Sequence, residues 1–492
     1  MKKGLQFIGL FVVFFITILI VNTVRIGSTS VEIQKAELKQ VNIQKAVDRL
    51  SKGLKIPTIS KMNSDNIEYI HFNNFHELLR NEYPSVFNTL DVNTINTHSL
   101  LFKWEGQDQT KLPILLMAHM DVVPIDQQSL DQWTYPPFNG TKDSTTVWGR
   151  GAMDDKGSLF AIMESISHLI DLGFTPKQTI YIAFGHDEEI GGNEGAKFSA
   201  DYFKSQGITF DFVLDEGGGI SNELGMGIDK QVAFVAVSEK GYITLELVAK
   251  DSGGHSSMPG KETTIGILAN AISKLQANPL PPQLDGPVKH MLNAMAPELG
   301  FLPRMVMANQ WLFGGLLDGI LSDNPAGNAM VRTTTAPTIF SAGVKDNVIP
   351  AQAKAMVNFR IIPGDTPESV IQMVREIVDD PRIEVRQPEG GFGRDPAPVS
   401  DPNSDQFKFL SYKIQEVFPG TVVVPGVSPG GTDTKHFVDL SPNIFRFSPI
   451  ETQDGDLKRI HGIDERIGIN AFEKGIQFYI YLIESLNQET RL

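Results

Sequence analysis

Short apolar runs alternate with an amphipathic segment in the first half of the chain. The runs Leu112–Asp121, Thr179–Glu189 and Phe210–Gly219 are too short for helices, and each finishes in polar residues. Between the first two runs, apolar residues recur every three or four positions until Gly173, at Leu159, Ile162, Met163, Ile166, Leu169 and Ile170. That spacing predicts an amphipathic helix. Buried strands that alternate with helices indicate an α/β fold with a mainly parallel sheet.

The pattern changes near residue 238. Ile243–Lys250 and Ala353–Ile362 alternate apolar and polar residues, as half-exposed strands do, and Asp365–Asp380 carries a helical stripe. A chain of 492 residues is also long enough for two domains. We therefore expect an inserted α+β domain between two parts of an α/β domain, with the first part at residues 45–237, the insert at 238–390 and the second part at 391–492.

The N-terminus predicts a membrane segment. Lys2 and Lys3 precede an apolar run from Leu5 to Val21, which is close to the roughly 17–25 residues that a spanning helix needs. The lysines favour the cytoplasmic side, so residues 1–28 would anchor the chain with its catalytic body outside the cytoplasm. A cleaved signal peptide, followed by secretion of the body, is the alternative.

Composition and charge narrow the chemistry. The hydrophobic content of 41% fits a globular protein, and the formal net charge of −15 argues against a nucleic-acid partner. An anionic substrate would need a local cation, because the field of the whole protein would repel it. The chain has no cysteine, so disulfides and thiolate metal sites are excluded. Any metal must be held by histidine and carboxylate side chains.

Metal-capable side chains follow all three apolar runs. His119 and Asp121 end the first run, the paired Glu188 and Glu189 end the second, and Asp215 and Glu216 lie in the third. Ligands of open α/β sheets bind beyond the carboxyl ends of the strands, so these side chains are expected to meet in one crevice. The segment "WGRGAMDDKGS" adds two more acids just before the predicted helix. Oxygen and imidazole ligands favour two Zn²⁺, with Co²⁺ or Mn²⁺ as substitutes.

Several motifs together resemble one family. "AHMDVVP", "WGRGAMDDKG", "GHDEEIGG", "LDEGG", "GGHSSMPG", "NVIPAQAKAMVNFRIIPG", "PGGTDTKHF" and "HGIDER" occur in the order seen in the aminoacylase/carboxypeptidase zinc exopeptidases. The chain is most similar to the carboxypeptidase S branch, which includes secreted N-fatty-acyl-amino-acid synthase/hydrolases. The resemblance covers nearly everything after Val47. It implies a zinc-exopeptidase catalytic domain with a ferredoxin-like lid or dimerisation domain, and it leaves open a homodimer.

The resemblance implies a ligand set for two zinc ions. His119 and Asp215 would hold one zinc, Glu189 and His461 would hold the other, and Asp154 would bridge both. The neighbouring acids would be solvated or would support the ligands, namely Asp155, Asp187 and Glu216. Glu465 could equally support His461 or be a surface charge.

The resemblance also implies catalytic and substrate-binding roles. Glu188 would be the general base and then the proton donor, and Asp121 would fix the tautomer of His119. His255 would stabilise the oxyanion, acting in its own subunit or in a neighbouring one. Arg360 would bind a free carboxylate of the substrate through a forked pairing of its guanidinium. The other residues that would bind substrate are Asn347, Gly430 and Gly431.

These roles describe a metallohydrolase that cleaves the amide bond of N-acyl amino acids or short peptides with a free carboxylate. A reversible N-fatty-acyl-amino-acid synthase/hydrolase is the alternative. The apolar segment Asn278–Ser341 would either pack a lid or subunit interface, or line a channel for the acyl chain.

Two further hypotheses compete with these. "GVSPG" fits the elbow of serine hydrolases, with Ser428 as nucleophile. Pro429 counts against it, because the elbow needs a backbone N–H after the serine. A non-catalytic binding protein is the second rival, and the presence of Glu188 and every expected ligand disfavours it.

Overall fold

The computed structural model describes residues 2–27, 33–62, 67–223, 227–323 and 325–488. Its helices, in chain order, are α1 Lys2–Ile26, α2 Ile43–Leu54, α3 Tyr69–Glu82, α4 Pro84–Thr89, α5 Lys156–Asp171, α6 Ala196–Ser205, α7 Thr264–Ala277, α8 Pro287–Met295, α9 Phe301–Ala308, α10 Gln310–Ser322, α11 Pro325–Val331, α12 Pro367–Val378, α13 Asp405–Val417 and α14 Ile469–Ser485.

The strands are β1 Asp91–Ile95, β2 Ser99–Trp104, β3 Ile114–His119, β4 Thr141–Lys142, β5 Thr146–Trp148, β6 Ile180–Gly185, β7 Val213–Asp215, β8 Gly219–Ser221, β9 Val232–Glu239, β10 Gly241–Lys250, β11 Gly254–His255, β12 Thr334–Ala342, β13 Val348–Ile349, β14 Gln352–Ile361, β15 Ile383–Arg386, β16 Gly393–Arg394, β17 Val422–Ser428, β18 Ile444–Arg446 and β19 Arg466–Gly468.

The larger sheet has the order β1-β2-β6-β3-β7-β18-β9-β17, with β8 paired to β9. Its centre, from β6 to β18, is parallel, and antiparallel pairs flank that centre. Apolar residues of β3 point alternately to two cores: Leu116 packs with α5 and α14, and Leu115 packs with α6. Because both faces are covered, the strand reads as a continuous apolar run. The predicted α/β class with a mainly parallel central sheet is confirmed.

The smaller sheet is antiparallel, with the order β12-β14-β10-β15. Helix α7 connects β10 to β12, and α12 connects β14 to β15, which is the connectivity of a ferredoxin-like unit. Only one face carries a core, so β14 alternates buried residues, such as Val357 and Phe359, with more exposed ones. Thr366 caps the start of α12 by accepting a hydrogen bond from the Ser369 N–H. The predicted strands and helix are confirmed, but β10 is central in this sheet and is buried from Leu245 to Ala249 instead of half-exposed.

Between α7 and β12, the apolar segment that the sequence singled out forms α8–α11. Met291 and Leu292 of α8 pack with Val422 and Val424 of β17, so these helices cover the end of the larger sheet. The N-terminal helix α1 packs against α9. Within α1, Gln6–Ile26 is long and apolar enough to cross a membrane.

The topology brings three strand ends together. Strand β3 lies between β6 and β7, parallel to both, so His119, the acids after Gly185 and the acids at Asp215 share one edge of the sheet. This arrangement confirms the expectation of a single crevice at the carboxyl ends of the strands.

Candidate metal centre

A carboxylate lies between two imidazoles at the crevice. The Asp154 Oδ1 atom is 2.9 Å from the His119 Nε2 atom, and its Oδ2 atom is 3.0 Å from the His461 Nε2 atom. His119 ends β3, Asp154 precedes α5, and His461 comes from the loop before β19. Segments more than 300 residues apart in the chain thus converge on one acid, and both oxygens of that acid face a nitrogen ligand.

Two more carboxylates complete the cluster. Glu189 Oε2 lies 3.0 Å from His461 Nε2, and Glu216 Oε1 lies 3.9 Å from His119 Nε2. The side chains therefore form two groups that share Asp154 and are each compact enough to hold a metal ion. One group is His119, Asp154 and Glu216, and the other is Asp154, Glu189 and His461.

One predicted ligand lies outside these two groups. Glu216, rather than Asp215, is the acid that groups with His119 and Asp154 among the described residues, and Asp215 stays a predicted ligand. Asp215 is the last residue of β7, and burial raises its pKa from 3.8 to about 6. Successive side chains at a strand end point to different sides, so the two adjacent carboxylates have different neighbours.

The residues present fit a pair of divalent cations. Burial raises the pKa of Glu188 and of Glu216 well above the ordinary range, and the charge of Asp154 adds to the effect on Glu216. The Glu189 Oε1 atom and the Asp215 Oδ2 atom are buried and have no hydrogen-bond partner within the described residues. A buried cluster of carboxylates that face one another needs positive charge, and the nitrogen and oxygen donors suit zinc.

Asp121 links the first imidazole to the glutamate pair. Its backbone oxygen is 3.0 Å from the His119 Nδ1 atom, and its carboxylate accepts hydrogen bonds from the backbone N–H groups of Glu188 and Glu189. The Ser60 hydroxyl donates a further bond of 2.6 Å to the same carboxylate. Burial alone would raise the pKa of Asp121, but His119 and these donors hold it below its ordinary value. The side chain therefore stays ionised and orients both the imidazole and the turn.

Glu465 is buried, not on the surface. It accepts hydrogen bonds from Arg150 Nη1 at 2.6 Å and from the backbone N–H groups of Met153 and Asp154 at 2.9 and 3.2 Å. Arg150 also donates to the His461 backbone oxygen. This ion pair fixes the positions of Asp154 and His461 at once. The sequence left the role of Glu465 open and gave no signal for Arg150.

A cavity of about 430 Å³ opens from the cluster. Glu188, Gly430 and Gly431 lie along its wall, as does Ser428. The buried Glu239 anchors the loop that follows Gly431. Its carboxylate accepts hydrogen bonds from the Thr432 backbone N–H and hydroxyl at 3.0 and 2.7 Å. It also accepts from the Thr434 hydroxyl at 2.8 Å and from the Arg446 guanidinium at 2.9 Å. The sequence offered no signal for this network, because Glu239 is nearly 200 residues from its partners.

Three predicted residues lie outside the cavity wall. His255 and Asn347 are exposed at the short ladder of β11 and β13, where the Asn347 backbone oxygen accepts a hydrogen bond from Ser256. Arg360 lies at the other end of β14, exposed and stacked over the Tyr242 ring at 5.1 Å. No carboxylate within the described residues forms a salt bridge with Arg360. In this conformation a single chain does not bring these three side chains to the metal ligands.

Two acids and a histidine near the site have structural contacts. Asp187 is buried and accepts hydrogen bonds of 2.8 Å from the backbone N–H groups of Glu194 and Gly195. His436, undecided from the sequence, lies 3.0 Å from the Gly191 backbone oxygen. Asp155 is also buried and accepts from the backbone N–H of His119 at 3.4 Å. For Asp155 and Asp187, the sequence left open a solvated or a supporting role. Their contacts are those of side chains that support the loops carrying the ligands.

The profile of the peptidase family M20/M25/M40 matches residues 115–485. The chain belongs to this family. "Probable carboxypeptidase S-like 2" of Dictyostelium discoideum is 43% identical over 441 residues, which cover 89% of this chain and 84% of that protein. "N-fatty-acyl-amino acid synthase/hydrolase PM20D1" of Xenopus tropicalis is 41% identical over 454 residues, which cover 91% and 87%. The resemblance seen in the sequence is confirmed, and the chain is an M20-type metallohydrolase.

Solved structures agree on the fold. The M20 family metallo-carboxypeptidase Sso-CP2 of Sulfolobus solfataricus superposes with a TM-score of 0.63 at 20% identity, covering 90% of this chain and 99% of that one. The Bacillus subtilis YXEP protein, a dinuclear metal binding peptidase from the M20 family, gives a TM-score of 0.55 at 15% identity, with coverage of 90% and 98%.

Proposed function

We propose that this M20 enzyme holds two zinc ions and hydrolyses the amide bond of N-acyl amino acids. The observation that carries the proposal is the Asp154 carboxylate, which lies within 3.0 Å of both His119 and His461. His119, Asp154 and Glu216 would hold one ion, and Asp154, Glu189 and His461 the other. Bound zinc would supply Lewis acidity at the scissile carbonyl and at the attacking water.

The protein side chains would move the protons and orient the substrate. Glu188 lines the cavity beside the ligand cluster, and we assign it the general-base role: it would take a proton from the attacking water and return it to the leaving amine nitrogen. Asp121, which binds the backbone of Glu188 and contacts His119, would keep both in place. Neither role requires movement of the larger sheet.

Arg360 would bind the free carboxylate on the amino-acid part of the substrate. Its guanidinium is exposed, stacked on Tyr242 and free of any salt bridge within the described residues, so it can form a forked pair with a carboxylate. His255 and Asn347 would stabilise the oxyanion and bind substrate. They are outside the cavity of their own chain, so domain closure or a second copy in a homodimer would have to supply them.

The cavity wall favours an apolar acyl group. Phe234, Met330 and Ile450 lie along it, together with two small residues of α11, Ala326 and Ala329. Apolar lining of this kind stabilises a hydrocarbon chain by roughly 0.8 kcal/mol for each CH₂ group that it buries. The relative from Xenopus tropicalis carries a fatty-acyl name, and the one from Dictyostelium discoideum a carboxypeptidase name. Short peptides are therefore the second candidate substrates.

A hydrolysis panel tests the proposal. The zinc-loaded chain would be incubated with N-acetyl, N-oleoyl and dipeptide forms of leucine and phenylalanine, and the products would be measured by mass spectrometry. Glu188→Gln should abolish turnover and retain two zinc ions per chain. The matched control Glu105→Gln, at an exposed position, should behave as the wild type. Robust turnover by Glu188→Gln would refute the assignment of the base. Preference for dipeptides would replace the acyl-chain proposal with a carboxypeptidase.

A further inference from the structure

Helices α9 and α10 present an exposed apolar face. Leu302 is 67% exposed, Trp311 62%, Leu316 52% and Ile320 54%. Leu316 and Ile320 are four residues apart and follow Leu312 at the same spacing, so they form one stripe along α10. Soluble proteins seldom expose continuous apolar surfaces, and those that do generally use them to bind a partner or a membrane.

The polar side chains of this helix pair are turned away from that face. Arg304 donates hydrogen bonds to the backbone oxygens of the preceding loop, at Ala296, Pro297 and Leu299. Asp318 pairs with Arg332, and Asn309 is fully buried. Arg304 and Asp318 are the only charged residues between Phe301 and Ser322. The outer face is therefore free of charge, as contact with hydrocarbon requires.

The candidate membrane span packs directly on this surface. Asn22 of α1 donates to the Asn309 side chain at 2.9 Å, and Asn309 in turn donates to the Leu19 backbone oxygen at 3.3 Å. The Phe15 ring meets the Trp311 ring edge-on, with centroids 5.7 Å apart. The face of α9 and α10 is thus continuous with a helix suited to cross a bilayer.

The length of α1 determines whether the part of it that contacts α9 and α10 lies within the membrane. The stretch Gln6–Phe14 is exposed throughout, whereas the part from Phe15 to Ile26 contributes the residues that pack on the body. Nine residues of helix measure about 14 Å at 1.5 Å per residue, and a hydrocarbon core is about 30 Å thick. The exposed part alone cannot span. If α1 crosses the bilayer, the part that contacts α9 and α10 must also lie in hydrocarbon.

We propose that the α9–α10 pair inserts into the membrane leaflet next to the body, beside α1. The partner is the hydrocarbon of a lipid bilayer. This inference stands apart from the proposed reaction. One consequence rests on that proposed function: α11 follows directly and supplies Ala326, Ala329 and Met330 to the cavity wall, so an acyl chain dissolved in the leaflet would lie close to the site.

The absence of cysteine allows a direct test. Leu302→Cys and Leu316→Cys would each be labelled with the polarity-sensitive fluorophore NBD in the full-length chain, which would then be reconstituted into phosphatidylcholine vesicles. Leu112→Cys is the matched control, because Leu112 is 53% exposed and precedes β3, at the opposite edge of the larger sheet from the cavity. We expect the NBD emission at Leu302 and Leu316 to shift to the blue and to be quenched by brominated acyl chains, and the emission at Leu112 to do neither.

Two results would overturn the proposal. Emission at Leu302 and Leu316 that matches the control would show that the surface faces water. A blue shift without quenching by brominated chains would show that a second protein copy covers it. In a further variant, Leu316→Glu would be combined with the label at Leu302. The introduced charge should weaken quenching there, and unchanged quenching would count against insertion of the pair.

Discussion

Replacement of Glu465 by glutamine should weaken metal binding by the group of Asp154, Glu189 and His461, because Glu465 fixes the positions of two of these residues. The Glu465 carboxylate receives Arg150 at 2.6 Å and two backbone N–H groups at 2.9 and 3.2 Å, and Arg150 and Glu465 are 3% and 0% exposed. A glutamine can keep the backbone bonds through its oxygen. Its amide NH₂, however, cannot accept from the guanidinium, so Arg150 becomes a buried unpaired cation.

The expected size of the effect follows from these contacts. Removal of one partner of a buried ion pair costs about 3–5 kcal/mol of stability. Arg150 also holds the His461 backbone oxygen, so part of that cost falls on the loop that carries His461. Loss of a residue that supports a metal ligand typically weakens metal affinity 10–100-fold. We therefore expect Glu465→Gln to lose one of two zinc ions at chelator concentrations that leave the wild type fully loaded.

A competitive chelator titration, with zinc quantified by mass spectrometry, measures this effect. Excess zinc should restore activity, because the variant retains every ligand. Glu164→Gln is the matched control: it breaks the largely buried Arg49–Glu164 pair, which also has a 3.0 Å contact. Glu164 lies ten residues after Asp154, in the middle of α5, and Arg49 lies on α2. The control should lose stability and keep both ions. The reasoning is refuted if Glu465→Gln binds two zinc ions as tightly as the wild type.

Four further substitutions test other parts of the site. Glu216→Gln should reduce bound zinc from two ions to one, and Asp215→Asn should leave two; elemental analysis that shows the reverse would restore the ligand first assigned. Arg360→Ala should raise KM about 10–100-fold for N-acyl amino acids and change it little for their amidated analogues. Burial alone would raise the pKa of Glu239, but the charge of Arg446 and the hydrogen bonds from the threonine hydroxyls lower that pKa from 4.5 to about 2. Its contribution to stability is therefore complete above pH 4.5 and is lost as the pH falls toward 2. Glu239→Gln should thus lower the free energy of unfolding by about 3 kcal/mol at neutral pH, and urea titrations should show that gap narrowing below pH 4.5; a gap independent of pH would contradict this.

The parts of the fold that were predictable depend on local periodicity. The apolar runs before His119 and Glu188 became β3 and β6, because strands covered on both faces read as continuous apolar stretches. The alternating pattern of Ala353–Ile362 became β14 for the opposite reason, one covered face. The packing of α1 on α9 was not predictable, since it depends on contacts such as Asn22–Asn309 between segments almost 300 residues apart.

The site was predictable to the level of segments and less so to the level of side chains. Strand order placed His119, Glu189 and Asp154 at one edge, and that much follows from topology. The choice between Asp215 and Glu216 does not follow, because it depends on how the end of β7 is turned toward His119 and Asp154, which come from other segments. Local sequence gives no rule for which of two adjacent acids will face them.

Adjacent acids occur at three places in this crevice, and at each the two members point to different partners. Two like charges side by side repel, so burial of both favours side chains that point apart and positive charge nearby. In each pair one member belongs to the metal-binding groups, and the other lies outside those groups. The pairs are Asp154 with Asp155, Glu188 with Glu189, and Asp215 with Glu216. The doubled acids therefore combine ligand and support in the same short segment. Substitution of the ligand in a pair should therefore cost a bound ion, whereas substitution of its neighbour should leave both ions bound and change turnover, as at Glu188, or stability.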